Sequence, residues 1–484
     1  MTEMMTHRYR RGELHEFQAA GSDFMYLVSA GAIFALDEGA SAALARLGEA
    51  DMSHPELVTA LTDRGYSRED AEDLIRELRL VQGILSDDVI PAPAPLLTPP
   101  KDFPLQALVL NITNQCNLSC TYCYEFGADK IATPQGKKKY MSLETAKSSV
   151  DFLLEQSQGR PAVHITFFGG ETLMNFPLLK EVVAYAGEQA AAQGRTVGFS
   201  LTTNATLLTD EIIAFLSDNG IGVTVSMDGP PDLQDKRRVY KNGKGSYAVI
   251  EPRLRKLIAN HRTRAITARV TLTEGVTDVI RIYRHLKEDL GFHEVGFAPV
   301  TASGGQDYSL GSDGMESVLA QFHELADEWL EYALRGKMHG FSNVSETIGE
   351  LIQGANKSHP CGAALGLLGV SPSGDLSPCH RFTDADTHTL GHIDSGIDQQ
   401  KREDFLAKGH VAAKFDCQSC WARPLCAGGC HHEAFVHYGD TGHANLHYCD
   451  WIREWTDTCL KIYGAVSALN PGFLERFAER KALS

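Results

Sequence analysis

The sequence predicts an α/β protein built on a partial TIM-type (β/α)6 barrel, and three observations predict it. Between residues 105 and 300, short apolar runs alternate with helical patterns, the signature of strand–helix units that form a parallel sheet with right-handed crossovers. A proline-rich stretch separates that region from a smaller mixed unit before it. The chain's 11 cysteines fall almost wholly into tight spacings, a trio after the first barrel strand and a second group near the C-terminus.

The N-terminal unit is placed at 1–90. Phe24-Met-Tyr-Leu-Val28 and Ala32-Ile-Phe-Ala-Leu36 read as paired strands joined through Ser29-Ala-Gly31. Helical patterns follow at 40–48, 54–64 and 68–80, the last opened by Ser67 with Asp70 as a cap, and a return strand lies near Ile84. A small sheet with three helices and a returning strand is a winged-helix-like arrangement. Residues 91–104 hold six prolines, a composition that favours extended polyproline II and makes a semi-rigid linker.

The barrel unit, 105–315, has strands at 106–112, 162–168, 197–202, 222–227, 266–272 and 294–298. Ligand loops of such barrels sit at the carboxyl ends of the strands. The first such loop carries Cys116, Cys120 and Cys123 with Tyr122 between them. By spacing alone it suits either Zn²⁺ or an iron–sulfur cluster with one iron left free of protein ligands. The second loop carries Gly169, Gly170 and Glu171: glycines admit close backbone approach, and a carboxylate accepts hydrogen bonds from an ammonium group. Asn204, Ser226 and Asp228 end later strands, and Asp235 follows as a candidate proton acceptor or, equally, an ion-pair partner of a neighbouring arginine.

A helical bridge is expected at 316–355, then a cysteine-rich unit at 356–470 and a tail at 471–484. Cys361, Gly374 and Cys379 precede Cys417-x2-Cys420-x5-Cys426-x3-Cys430, and Cys449 closes the series. Cys459 fits no ligand position and reads as a small buried apolar side chain. A net charge of −17 argues against nucleic acid, and Lys137-Lys-Lys139 reads as a solvated loop. No membrane segment or signal peptide is apparent, so the thiols are expected to be cluster ligands in a reducing cytoplasm rather than disulfides.

Asn114, the cysteine trio and Phe167-Phe168-Gly169-Gly170-Glu171, in that order, resemble the radical S-adenosylmethionine (SAM) superfamily. The resemblance implies a 4Fe-4S cluster on Cys116, Cys120 and Cys123 that chelates SAM and cleaves it to a 5'-deoxyadenosyl radical. It also implies SAM contacts from Tyr122, Gly169, Gly170, Glu171, Asn204, Ser226 and Asp228. The later cysteines resemble the SPASM extension, which implies two auxiliary 4Fe-4S clusters, an outer one on Cys417, Cys420, Cys426 and Cys449 and an inner one on Cys361, Cys379 and Cys430. Where some members carry a further cysteine this chain has Asn356-Lys-Ser-His359-Pro360, so either His359 completes the inner cluster or one iron stays open for a substrate thiolate, the option favoured here.

The N-terminal unit resembles the RiPP recognition element of ribosomal-peptide maturases, which implies a leader peptide added as an extra strand. The stretches Pro378-Cys379-His380-Arg381, Cys426-Ala-Gly-Gly-Cys430-His431-His432-Glu433 and Tyr448-Cys449-Asp450-Trp451 are most similar to the quinohemoprotein amine dehydrogenase maturation family. That similarity implies thioether crosslinks from Cys sulfur to the methylene carbon of Asp or Glu in a small Cys-rich protein substrate, with an external electron donor such as flavodoxin or ferredoxin. His431 and His432 are then candidate donors beside the clusters. The alternatives are a sulfatase-type formylglycine-generating radical SAM maturase and, in another class, a non-catalytic zinc-bound peptide adaptor.

Overall fold

The computed structural model of the chain describes residues 7–87, 99, 103–133 and 136–482. The expected linker, 91–104, lies outside the described residues except at Pro99, Phe103 and Pro104.

Six parallel strands, Ala107–Thr113, Ala162–Gly169, Thr196–Thr203, Gly222–Ser226, Ile266–Leu272 and Glu294–Pro299, hydrogen-bond in sequential order. Helices such as Leu143–Gln156, Phe176–Ala192 and Tyr247–Asn260 return the chain between them. Strand alternation sets the two faces. In Ile266–Leu272, Ile266, Ala268, Val270 and Leu272 are buried, while Thr267, Arg269 and Thr271 turn to the barrel interior. The expected partial barrel is therefore present.

The structure adds a strand that the sequence did not suggest. Leu367–Val370 pairs in parallel with Ala107–Thr113, Leu368 beside Leu108, and three short antiparallel strands continue from it to complete a ten-stranded sheet. Four residues carry too little periodicity to be recognised, yet this pairing sets the cysteine-rich region against the barrel's first strand.

Helices Ser312–Leu334 and Ser342–Ile352 occupy the expected bridge. The long helix Cys449–Leu469 packs on the first of them, with Trp451 and Trp455 both edge-on to Phe322 at ring distances of 5.3 Å. Cys459, on this helix, is fully buried. The expected tail is itself helical, Gly472–Ala482, because Phe473 and Phe477 find Trp329. Lys137 pairs with Asp386 at 2.9 Å, so that part of the basic stretch docks on the C-terminal region rather than standing free in solvent.

The N-terminal unit forms two three-stranded sheets, one from Arg8–Arg11 flanked by Met52–Ser53 and Ile84–Ser86, the other a meander of Leu14–Ala19, Ser22–Leu27 and Ala32–Leu36. Its helices Glu38–Glu49, His54–Thr62 and Arg68–Leu80 are capped by the side chains of Asp37, Ser53 and Ser67. Arg8-Tyr-Arg-Arg11 lacks an apolar run, which hides that strand from sequence. Tyr9, Met25, Leu44, Leu57 and Ile75 make a core of the unit's own. Phe17, Ala19, Phe24 and Tyr26 turn the other way and join the main core. They meet the long C-terminal helix at Gly464, where a Cβ would lie 3.0 Å from Ala19 Cβ and 3.1 Å from the Phe17 ring. Gly464→Val is expected to overpack this seam and cost about 1–3 kcal/mol, read as a lower urea midpoint of the whole chain.

Candidate active site

At the carboxyl ends of the barrel strands lies a cavity of about 1250 Å³. Cys116, Cys120 and Cys123 line it, as do Tyr122, Gly169, Gly170, Glu171, Asn204 and Ser226. Asp228, Asp235 and the seven cysteines expected as ligands beyond residue 360 do not.

Backbone-to-backbone packing explains the paired glycines. Gly169 has φ 144°, and a Cβ there would sit 2.2 Å from the Thr113 carbonyl oxygen; a Cβ on Gly170 would sit 2.4 Å from that of Gln115. Gly170 N–H donates to Thr113 O at 3.0 Å and Glu171 N–H to Gln115 O at 2.9 Å, so the strap is stitched to the base of the cysteine loop. The Glu171 side chain is buried, and its oxygens accept from the Thr203 hydroxyl at 2.6 Å, Asn204 N–H at 2.7 Å and Leu173 N–H at 3.0 Å. Burial raises its carboxyl above the ordinary range and these three bonds oppose the rise. The carboxylate is thus largely committed within the chain. Asn204 passes the constraint on, donating to Asn117 Oδ1 at 3.1 Å with Cys116 Sγ at 3.8 Å.

Asp228 is fully buried, and its role differs from the direct ligand contact expected from the sequence. Its Oδ2 accepts from the Tyr122 hydroxyl at 2.6 Å and Arg238 Nε at 2.9 Å, and its Oδ1 accepts from Thr271 N–H at 3.0 Å. Arg238 lies over the Tyr122 ring at 5.3 Å and reaches the cavity beside Cys120, where its charge opposes the upward push of burial on that thiol. Asp235 accepts from Tyr247 N–H at 2.8 Å, at the start of helix Tyr247–Asn260. It is a helix-start acceptor outside the cavity, not a group facing the reaction.

The sequence reading missed the polar wall of the barrel. Arg269 and Glu346 line the cavity as opposite charges with their side chains open to it: desolvation inside the barrel mouth lowers the guanidinium's affinity for its proton and raises the carboxyl, and each opposes the other's shift. Arg381 joins them, donating to Thr301 Oγ1 at 3.1 Å and lying 5.0 Å over the Tyr124 ring. The available signal was Arg269 among alternating apolar residues of one strand.

The remaining candidate thiols have one another as neighbours. Burial pushes Cys379 up to about 12, with Cys430 and Cys361 adding to the push. Burial likewise takes Cys417 to about 11, with Cys426, Cys420 and Cys449 adding and Lys414 opposing. A tetrahedral Zn²⁺ with bonds near 2.3 Å needs sulfurs roughly 3.8 Å apart. Among the described residues no three thiol sulfurs lie within 4.8 Å of one another. His432, two residues after Cys430, and Trp451, two after Cys449, bury ring nitrogens that have no hydrogen-bond partner among the described residues. His431 instead directs Nδ1 at Thr441 O, 3.2 Å away. His359 has both nitrogens engaged, by Leu406 O at 2.8 Å and Ser358 Oγ at 3.0 Å, which removes it as a ligand.

Asp228→Ala would leave Arg238 buried and unpaired, an expected loss of about 3–5 kcal/mol in anaerobic urea unfolding. Asp235→Asn preserves a helix-start acceptor and is expected to leave both stability and SAM cleavage near the parent value, whereas Asp235→Ala costs about 1 kcal/mol with cleavage retained.

Residues 110–286 match the radical SAM superfamily. The chain is 27% identical over 368 residues to a serine-type anaerobic sulfatase-maturating enzyme of Bacteroides thetaiotaomicron, covering 71% of this chain and 86% of that one. It is 23% identical over 365 residues to a cysteine-type anaerobic sulfatase-maturating enzyme of Clostridium novyi, covering 72% and 94%. Among solved structures, native anSMEcpe with bound AdoMet superposes with a TM-score of 0.64 at 22% identity, over 75% of this chain and 100% of that one; the same protein with AdoMet and the Cp18Cys peptide gives 0.62. Sequence match and fold agree: residues 110–286, which carry the cysteine trio, form a radical SAM superfamily domain on the α/β partial-barrel fold.

Proposed function

We propose that the chain is a peptide or protein maturase that takes a hydrogen atom from a substrate side chain held in the barrel cavity. The observation that carries this is the cavity itself: at about 1250 Å³ it exceeds the roughly 300–1,000 Å³ of ordinary small-ligand sites, leaving room for a cluster on the cysteine trio, a nucleotide and a side chain together. With a 4Fe-4S cluster on Cys116, Cys120 and Cys123 and SAM beside it, the bound group supplies a 5'-deoxyadenosyl radical. The protein's part is position and dryness. Gly169 and Gly170 offer close backbone, Asn204 and Ser226 offer polar groups, and Tyr122, clamped by Asp228, gives an apolar face for the adenine. Cys417, Cys420, Cys426 and Cys449 would hold an outer auxiliary cluster; Cys361, Cys379 and Cys430 would hold an inner one, three thiols that leave a corner for a thiol of the substrate. A flavodoxin- or ferredoxin-like donor would supply electrons.

The relatives favour sulfatase-type maturation, oxidation of a serine or cysteine to formylglycine, as the reaction. One observation favours the thioether link to Asp or Glu instead: Arg238, Lys241, Arg269 and Arg381 line the cavity with Glu125, Glu171 and Glu346, one positive group in excess, which suits an acidic side chain. The N-terminal unit suits substrate recognition. Among the described residues Ala32–Leu36 pairs on one side only, with Ser22–Leu27, and its outer edge can take a peptide strand. At the opposite side of that sheet, His15 of Leu14–Ala19 is tied to Asp457 at 2.7 Å.

Cys116→Ala is expected to abolish 5'-deoxyadenosine release under strong reductant; release at the parent rate would remove the proposal. Mass spectrometry of a coexpressed Cys-rich substrate separates the two reactions: a thioether product loses a hydrogen pair per link and resists thiol alkylation, whereas a formylglycine product captures a hydrazide. Arg381→Met is expected to slow modification of an acidic substrate by roughly ten- to a hundredfold while substrate-free SAM cleavage persists.

A further inference from the structure

We propose that Glu433, His437 and His447 form a divalent metal site, a zinc clasp distinct from the thiol sets and independent of which peptide the enzyme modifies. One ligand atom from each of these residues lies within 4.8 Å of the other two. Glu433 Oε1 and His447 Nε2 face each other at 3.5 Å. That is long for a hydrogen bond, and close to the ~3.4 Å edge of a tetrahedron whose metal–ligand bonds are near 2.0–2.1 Å.

The local structure holds the three donors in place. Glu433 and His437 stand one helical turn apart on His431–Tyr438 and so share a face; His447 comes from the turn Leu446–Tyr448 that passes over it. Asn445 Nδ2 donates to Glu433 Oε2 at 3.1 Å, which leaves Oε1 directed at His447. The Tyr438 hydroxyl engages His447 Nδ1 at 3.2 Å, which fixes the ring with Nε2 facing the carboxylate. A partner on the second ring nitrogen is the usual support of a metal-binding imidazole. The two histidine rings lie in contact, their centroids 4.1 Å apart, so both stand at the same place on the surface.

The ligand chemistry points to a borderline ion. Two imidazoles and one carboxylate suit Zn²⁺ and leave its fourth position to water, and His447 stands exposed at the surface, so that water has access. The clasp would bridge the helix that begins directly after Cys430 to the turn that leads into Cys449, tying one thiol of the inner set to one of the outer.

The test uses the full-length protein with its iron and sulfide loaded anaerobically. Dialysed against micromolar ZnCl₂, it is expected to retain one zinc per chain with iron and sulfide unchanged, and zinc-edge absorption should show a nitrogen and oxygen shell. The His437→Ala/His447→Ala double variant, at equal iron and sulfide content, is expected to bind zinc more than roughly tenfold more weakly. Absence of zinc from the loaded parent, a sulfur shell at the zinc edge, or unchanged zinc binding in the double variant would each overturn the site.

Discussion

Everything at the barrel mouth depends on the seam between the ends of the first two strands. The cysteine loop is irregular backbone; its base is held by the strap Gly169-Gly170-Glu171, whose amides reach the Thr113 and Gln115 carbonyls, and its middle by Ser119 and Thr121 N–H donated to the Val239 and Arg237 carbonyls. Side chains larger than hydrogen at the two glycines would push the strap off. Glu171 then fastens the third strand end through Thr203 and Asn204, and Asn204 borders Cys116. Three strand termini are locked around one thiol, which is the preorganisation that a radical reaction needs if it is to reach a single C–H bond.

A second buried network serves the same cavity from the other side. Asp228 is the anion between Tyr122 and Arg238, and its value is the placement of those two groups rather than contact with a ligand. Burying one carboxylate with one guanidinium is acceptable because hydroxyl and amide donors complete the shell. Arg238 thereby stands beside Cys120, where a fixed positive charge favours thiolate.

The cysteine-rich region is not a separate appendage. Its strand Leu367–Val370 extends the barrel sheet beside Ala107–Thr113, and Arg381, two residues after Cys379, enters the cavity. The N-terminal unit is tied in by a different device, apolar packing of Phe17, Ala19 and Phe24 against a glycine in the last long helix. The first tie is backbone pairing and rigid; the second is a shape match that a single methyl group can spoil.

The sequence by itself determined the barrel strands and marked ten candidate thiol ligands, because apolar runs of strand length and cysteine spacings are local properties. Only the tertiary structure decided what Asp228, Asp235 and His359 do. Each is a polar residue near a motif, and the partners that occupy them, Arg238, Tyr247 N–H and Leu406 O, come from other turns and strands. The arginine wall and the Glu433–His437–His447 group were likewise hidden, since convergence of side chains from separate elements leaves no periodic trace along the chain.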